Sequence, residues 1–341
     1  MGAQYNAGTG EEGTVYYAFV LPEHQDQAVG LLGDILRPSL RPDDFDTEKQ
    51  VVIEEICMHE DQPPFGAEEK CRAAHYGAHP LANCVYGSVE SIADLSVEAM
   101  REYFHRRYSP GNIALVAAGR VDFDALVSVA ERCCGPWEAL EAGRDCRPPE
   151  PGAGFLVVHK ESATQQYAVQ MAHGPKAADD DRYPASLLAT ILGDDCGSRL
   201  YWELVDPGLA EHAGLGHWEY DEGGLYTTHL SCDPEQAAAN LQCIRDVYRR
   251  AEDEGVTEAE LVQAKCKISS RIVLSSERPR NRLFAVGSEW VQRRQHLSVR
   301  DVLDAVDAVT REDIARVLER FPLSQSTTVT IGPLEELAAP R

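Results

Sequence analysis

Two glutamates on one predicted helix are the residues whose type and spacing best suit chemistry. Glu48 and Glu55 are seven positions apart, which is two helical turns, so both carboxylates are expected on one face of the helix. Carboxylates in this arrangement can bind a metal ion, and His59, one turn beyond Glu55, would suit a site with two ligands. The alternative is that Glu48 and Glu55 form an ordinary solvated face and that His59 is a surface residue, because charged side chains are mostly exposed.

The usual sources of further zinc ligands are missing from the sequence. A catalytic zinc site takes three protein ligands and leaves a fourth position for water. Neither H-E-x-x-H nor its inverse, H-x-x-E-H, occurs in the 341 residues. No G-x-S-x-G motif occurs either, and the adjacent Cys133 and Cys134 lie in an apolar helical pattern that favours core packing over nucleophilic chemistry.

The composition narrows the class of protein. Hydrophobic residues make up 43% and charged residues 26% of the chain, values typical of a globular protein. The net charge of −24 argues against nucleic acid or an anionic membrane surface as a partner, because such binding needs clustered Lys and Arg. Ten cysteines without metal-type spacing and no long apolar run predict a cytoplasmic protein with reduced thiols and no membrane segment.

An internal repeat indicates the elements that position the two glutamates. A strand, a Pro-Glu turn and a helix at residues 13–36 recur at residues 224–247. An apolar strand ending in Gly is expected at residues 113–119 and again at 326–332. Corresponding landmarks are 210 to 214 residues apart, and this regularity indicates two copies of one unit.

The repeat also predicts where the halves meet and what the first half lacks. The Pro/Gly-rich stretch 147–152 is the expected linker between a first half, residues 1–146, and a second half, residues 153–341. The second half begins with two predicted strands and a helix that have no counterpart in the first. We therefore expect the first half to lack roughly fifty-five to sixty residues at its front. The alternative is that this half never contained them.

Ordered matches along nearly the whole chain resemble the insulinase, or pitrilysin and mitochondrial processing peptidase, family of inverted-motif zinc peptidases. The matching stretches are Asn6-Ala7, Thr14-x-Tyr16, Glu48 to Pro63, His79-Pro80-Leu81, Tyr108-Ser109-Pro110-Gly111-Asn112, Ser198-Arg199-Leu200-Tyr201-x-Glu203-Leu204 and Gly208-Leu209-Ala210. The resemblance implies an α/β fold of the α+β type with two homologous halves. Each half is expected to be an antiparallel sheet covered by helices, the first without its N-terminal strands and zinc helix.

The resemblance also implies site residues. The family holds zinc with H-x-x-E-H on one helix and a Glu about seventy-five residues further on. By motif position that distal ligand is Glu55, and Glu48 is an accessory carboxylate that orients the site. Asn6 and Ala7 match the edge segment that pairs with an extended peptide substrate.

Two departures from the family pattern concern activity. Counting back from Glu55 by about seventy-five residues falls before Met1, in the segment that the repeat predicts to be missing. No catalytic residue is therefore predicted within this chain, and zinc is expected for a full-length form but not for this chain alone. Many family members place an Arg and a Tyr seven apart, the Tyr directly after Gly-Leu-Ala. This sequence has Leu204 and Glu211 at these two positions, so neither role carries over.

The leading hypothesis is a zinc-dependent metalloendopeptidase homologue, inactive as this chain alone through a fragmentary gene model, a late start codon or a true truncation. Its expected substrates are peptides, with cationic peptides favoured by the acidic composition. The alternative is a non-catalytic partner or structural subunit of a peptidase-like assembly, homo- or hetero-oligomeric. Unpaired strand edges would favour pairing with another chain.

Overall fold

The computed structural model describes residues 1–144 and 146–341, and mixes strands with a larger number of helices. The strands are β1 (Gln4–Thr9), β2 (Thr14–Phe19), β3 (Gly154–His159), β4 (Gln166–Gly174), β5 (His212–Glu219), β6 (Gly224–Cys232) and β7 (Ser326–Gly332). The first six helices are α1 (Gln25–Ile35), α2 (Pro42–Asp61), α3 (Ala67–Tyr76), α4 (Val89–Asp94), α5 (Val97–Arg107) and α6 (Phe123–Cys134). The remaining helices are α7 (Arg182–Gly193), α8 (Ala237–Glu254), α9 (Glu258–Ser276), α10 (Pro279–Arg293), α11 (Val299–Ala308) and α12 (Arg311–Arg320).

The strands form two sheets. The first is the antiparallel hairpin β1-β2, closed by a hydrogen bond from the Gly10 N–H to the Gly13 carbonyl. The second has five strands in the order β3-β7-β4-β6-β5. All neighbours in it are antiparallel except β3 and β7, which run parallel. The expected antiparallel sheet is therefore confirmed apart from this pairing at one edge.

The chain divides into two compact units that do not coincide with the two halves of the repeat. Unit 1 contains Met1–Met58, Val85–Asp145 and Ser275–His296, and unit 2 contains His59–Cys84, Cys146–Leu274 and Leu297–Arg341. Each unit thus includes a helix from the other half: α3 belongs to unit 2 and α10 to unit 1. These two helices are counterparts in the repeat, because Ala67 and Pro279 begin them 212 positions apart.

Unit 2 has helices on both faces of its sheet. The alternation of β4 separates the two layers, since Ala168 and Ala172 pack with α7, α8 and α12 while Val169 and Met171 pack with α3. Side chains from one face of α8 recur every three or four residues in the larger cluster, as an amphipathic helix requires. Unit 2 therefore has a complete core around its sheet, with α3 of the first half forming one of the two layers.

Unit 1 has a much smaller core. Val29 of α1 packs with Leu126 and Val129 of α6, and the ring of Phe284 on α10 meets Tyr17 of β2 edge-on at 5.2 Å between centroids. Every residue of β1 is exposed. Within this unit the hairpin is therefore packed through β2, whereas β1 is exposed.

The closing strand predicted at residues 113–119 is absent, whereas its counterpart at 326–332 is present as β7. The difference has a physical cause, because a strand needs neighbours to bond its backbone N–H and C=O groups. β7 lies between β3 and β4, and no strand in the described part of the first half takes their place beside residues 113–119. No helix within the described residues is both long and apolar enough to cross a membrane.

Candidate functional site

Helix α2, which carries Glu48 and Glu55, is held in place by residues on an adjacent side of the helix. The helix begins at Pro42, where a missing backbone N–H costs nothing, and buries Phe45 and Ile56. The Lys49 ammonium donates to the carbonyls of Ala93 and Leu95 at 2.6 and 2.9 Å. A fixed helix therefore presents the two carboxylates.

Both carboxylates are exposed. Glu48 and Glu55 have no hydrogen bond or ion pair to any residue in the described part of the chain. Seven residues correspond to a rise of about 10 Å along the helix, which suits one carboxylate binding an ion directly and a second acting from behind it. The predicted shared face is thus present, and its carboxylates are free to take an external cation.

His59 does not join this face. Its Nε2 atom lies 3.0 Å from Oε1 of Glu69, and both side chains are partly exposed. The two-ligand site of Glu55 and His59 that the spacing allowed is not formed, because the imidazole is engaged by a carboxylate of the next helix.

The residues present do not complete a zinc site. Within residues 1–144 and 146–341, no group of three or more His, Cys, Asp and Glu side chains is close enough to hold a metal ion. Glu55 and Glu48 could supply one ligand and one orienting carboxylate, but imidazole ligands are needed beside them. The donor set on this chain therefore does not fit a self-sufficient zinc centre.

On the equivalent face of α9 in the second half, the charged side chains form ion pairs with other residues of the same chain. Glu260 and Lys267 stand 212 positions after Glu48 and Glu55. Arg199 donates to both carboxylate oxygens of Glu260, with Nε–Oε1 at 2.7 Å and Nη2–Oε2 at 3.0 Å. Burial raises the pKa of Glu260, but the hydrogen bonds from Arg199 and from Thr257 outweigh it and lower this pKa to about 2.

Lys267 occupies the place that corresponds to Glu55 and reverses its charge. Its Nζ atom lies 2.7 Å from Oδ2 of Asp194, the residue directly after α7, and Arg271 contacts the other carboxylate oxygen. Burial raises the pKa of Asp194, and the hydrogen bonds from these two cations outweigh that effect and lower it. The exposed carboxylates of α2 therefore correspond to positions on α9 whose side chains form ion pairs.

Reasoning from the sequence missed these ion pairs. The signal was available, because superimposing the two copies at an offset of 212 aligns Lys267 with Glu55. The partners, Asp194 and Arg199, lie in the Gly-containing stretch that follows α7. The structure shows their role, because the residues after α7 lie beside α9 and form ion pairs with it.

Asn6 and Ala7 lie in the middle of β1, an exposed strand. Their partners across the hairpin are Tyr17 and Tyr16. No strand pairs with the other edge of β1 among the described residues. The amide oxygen of Asn6 accepts the Ala7 N–H at 2.8 Å. The outer edge of β1 is therefore unpaired, and the Asn6 side chain bonds the Ala7 N–H of that edge.

The second departure from the family pattern is visible in unit 2. Leu204 is buried in the core of this unit, and Glu211 accepts a hydrogen bond from Gln165. A buried leucine and an acidic side chain cannot supply the cationic and phenolic groups expected at these positions.

Comparison with known proteins gives one consistent result. Residues 94–267 match the profile of the peptidase M16 inactive domain, and residues 1–89 match that of insulinase, peptidase family M16. An uncharacterized zinc protease of Mycobacterium tuberculosis is 29% identical over 341 residues, covering 98% of this chain and 77% of the relative.

Solved structures show the same fold. A protease from Helicobacter pylori superposes with a TM-score of 0.90 at 20% identity, covering 97% of this chain and 83% of that one. A chain of complex III2 from Candida albicans gives 0.88 at 14% identity, covering 99% and 84%. At these identities the likeness concerns the fold.

Proposed function

The chain belongs to the insulinase family of peptidases, M16, and on that premise we propose that it supplies the distal carboxylate part of a zinc-dependent metalloendopeptidase. In this proposal Glu55 is the metal ligand and Glu48 the accessory carboxylate. The 341 residues contain no H-x-x-E-H motif, so the two imidazole ligands and the catalytic glutamate come from a polypeptide segment outside them. This chain alone does not hydrolyse peptides and does not hold stoichiometric zinc.

One observation carries the proposal: α2 presents two carboxylates that nothing in the described chain neutralises, whereas α9 pairs the equivalent positions. Phe45, Ile56 and Lys49 fix the backbone of α2, so the positions from which the side chains of Glu48 and Glu55 reach a metal ion are set before it binds.

The exposed edge of β1 supports peptide as the substrate class. A peptide in extended form can add to a free strand edge through main-chain hydrogen bonds, and Asn6 and Ala7 lie on that edge. The net charge of −24 would attract cationic peptides before they dock. We place this activity in the cytoplasm, where thiols such as the ten cysteines of this chain stay reduced.

Metal analysis with matched variants tests the proposal. The purified chain is expected to contain far less than one zinc per chain and to leave a fluorogenic peptide intact. Addition of the N-terminal piece of the Mycobacterium tuberculosis relative, which carries the remaining ligands in this proposal, should raise the zinc content toward about one per chain.

Glu55→Gln should abolish that gain in zinc, and Glu48→Gln should weaken it. Glu54→Gln is the control, because Glu54 is an equally exposed neighbour on a different side of α2. One tightly bound zinc in the chain by itself, or equal zinc binding by the Glu55→Gln and Glu54→Gln variants, would contradict the proposal.

A second candidate function is that of a non-catalytic partner subunit in a peptidase-like assembly. The incomplete set of metal ligands among the described residues favours it, and a protein of the same fold is a chain of complex III2. In that case the Glu55→Gln variant and the unaltered chain would show the same zinc content in the titration. The zinc titration therefore separates the two functions.

A further inference from the structure

Two histidines lie near each other at one corner of the five-stranded sheet in unit 2. His212 begins β5, the edge strand, and His229 lies on the neighbouring strand β6. Across the two strands, His212 stands opposite Ser231. Gly214 stands opposite His229. The two histidines are therefore diagonal neighbours on one face of the sheet, because facing residues and those two positions further along point to the same side.

A glycine leaves the space that the ring of His212 occupies beside His229. A Cβ atom at Gly214 would come within 3.1 Å of Nε2 and 3.2 Å of Cε1 of His212, so the imidazole lies over this glycine. Gly214 is also the residue directly opposite His229. Facing side chains have Cβ atoms about 5 Å apart, and metal–nitrogen bonds are about 2.1 Å long. One ion between the strands is therefore within reach of both rings.

The ring nitrogens of both histidines are available. Among the residues that the structure describes, none forms a hydrogen bond with a ring nitrogen of His212 or His229. His217, also on β5, differs in this respect, because its Nε2 atom lies 3.2 Å from the carbonyl oxygen of Pro175. A neutral imidazole that is not engaged elsewhere has a lone pair for a metal ion.

The helix layer over this face of the sheet does not cover the corner. Leu225 and Thr227, which precede His229 on the same face of β6, are buried, and Leu225 packs in the cluster that includes α3. His229 and Ser231 are the two residues of β6 that are not fully buried. His212 is exposed. Water and a dissolved ion can therefore reach the two imidazoles.

The charges around the pair favour a cation. Burial lowers the pKa of His229, the carboxylate of Glu68 on α3 raises it, and the neighbouring His212 lowers it. Burial thus favours the neutral ring, which is the form that binds a metal. Glu68 accepts a hydrogen bond from Arg72 at 2.8 Å, and Glu211 directly precedes His212. These two carboxylates outnumber the one guanidinium.

We propose that His212 and His229 form a binding site for one divalent transition-metal ion that prefers nitrogen ligands, such as Zn²⁺ or Cu²⁺. The two imidazoles supply two ligands, and water fills the remaining positions. No group of three His, Cys, Asp or Glu ligands is formed within residues 1–144 and 146–341, so Glu68 and Glu211 act through their charge. The site uses no residue of α2 and is independent of the proposed function.

The number of ligands sets a modest affinity. A structural zinc site with a full ligand set binds very tightly, and two imidazoles should give a dissociation constant of roughly 1 to 100 μM. An ion bound this weakly is lost during purification, in agreement with the small zinc content expected of the isolated chain. The bound ion joins the edge strand β5 to β6 and therefore stabilises the folded sheet.

Calorimetric titration of the full, metal-free chain with zinc chloride, and separately with copper chloride, tests the proposal. One ion per chain is expected to bind. His212→Gln and His229→Gln should each weaken this binding by at least roughly tenfold, because each removes one of the two ligands. His212 is exposed, so its replacement leaves the fold intact, and circular dichroism checks this for both variants.

His159→Gln is the matched control. His159 is an exposed histidine on β3, the strand at the opposite edge of the same sheet. This variant should bind zinc and copper as the unaltered chain does, because no second imidazole stands beside His159: its partner on β7 is Gly332.

Three results would overturn the proposal. The first is the absence of saturable binding of either ion up to about 1 mM, a concentration well above the expected dissociation constant. The second is equal weakening by His212→Gln and His159→Gln. The third is loss of the binding in the Glu55→Gln variant, which would assign the ion to α2. Failure of the proposed function leaves this titration unchanged, so the two are separable.

Discussion

Helices α2 and α9 hold the same place in the two halves, yet only α9 neutralises its own charges. Glu260 is clamped by Arg199, and Lys267 pairs with Asp194 at the end of α7. On α2 the corresponding Glu48 and Glu55 have no such partners in the described chain. One helical face can therefore form structural ion pairs or leave its charged side chains exposed, depending on which charged residues follow the neighbouring helix.

The same contrast extends to the hydrophobic layer, where α12 is buried against α7 and α5 is not. In the second half, both features involve α7 or the residue that directly follows it. Substitutions at matched positions in the two halves therefore test the comparison.

The largest difference is expected between Ile314→Ala and Met100→Ala. Ile314 is fully enclosed, so truncation should lower the free energy of unfolding of unit 2 by about 3 kcal/mol through lost burial and a residual cavity. Met100 is half-buried on α5, and its truncation should cost less than about 1 kcal/mol. Urea unfolding followed by circular dichroism measures both. Equal losses would mean that α5 is covered as fully as α12.

A smaller difference is expected between Lys267→Met and Glu55→Gln. Removing Lys267 leaves the carboxylate of Asp194, 8% exposed, with Arg271 as its remaining cation, which should cost about 2 kcal/mol of stability. Glu55→Gln should change stability by less than about 0.5 kcal/mol, because its carboxylate contacts no cation of the described chain. A destabilising Glu55→Gln substitution would show that α2 already uses this carboxylate structurally.

The smallest expected effect is that of Glu260→Gln, about 1 kcal/mol near pH 7. Because folding lowers the pKa of Glu260 from 4.5 to about 2, the stabilisation is complete above pH 4.5 and is lost as the pH falls through about 2. The difference in the free energy of unfolding between the unaltered chain and this variant should therefore become smaller at acidic pH. Glu48→Gln is the control and should show no such narrowing in the same urea titrations; a constant gap for Glu260→Gln would refute the ion-pair account.

Much of the fold could be predicted from the sequence because the repeat supplies internal evidence. Strand β7 lies where the apolar pattern of residues 326–332 predicted it, and the second half begins with two strands and a helix, as predicted. Residues 113–119 were predicted as a strand by the same pattern, but apolar alternation cannot reveal whether a neighbouring strand is there to pair with. The exchange of α3 and α10 between units was also beyond sequence reasoning, since helix periodicity does not say which sheet a helix covers.

The candidate site could be predicted only in part, because helical spacing describes contacts within one helix and not contacts between helices. Helical spacing correctly placed Glu48 and Glu55 on an exposed stretch of α2. It could not predict that His59 pairs with Glu69, because that contact depends on the turn between α2 and α3. The fit to zinc depends on the two imidazoles of an H-x-x-E-H motif, and this sequence does not contain that motif.

The exchanged helices α3 and α10 have a further consequence for how the chain holds together. Cys71 of α3 contacts backbone oxygens of Val169 and Thr327, the latter 256 positions along the chain. Two polypeptides that trade an identical element form a domain-swapped dimer, and here both copies are in one chain. The covalent link gives each swapped helix a high effective concentration at its partner sheet, so cutting the chain between the halves would turn an intramolecular contact into an intermolecular one that dilution can dissociate.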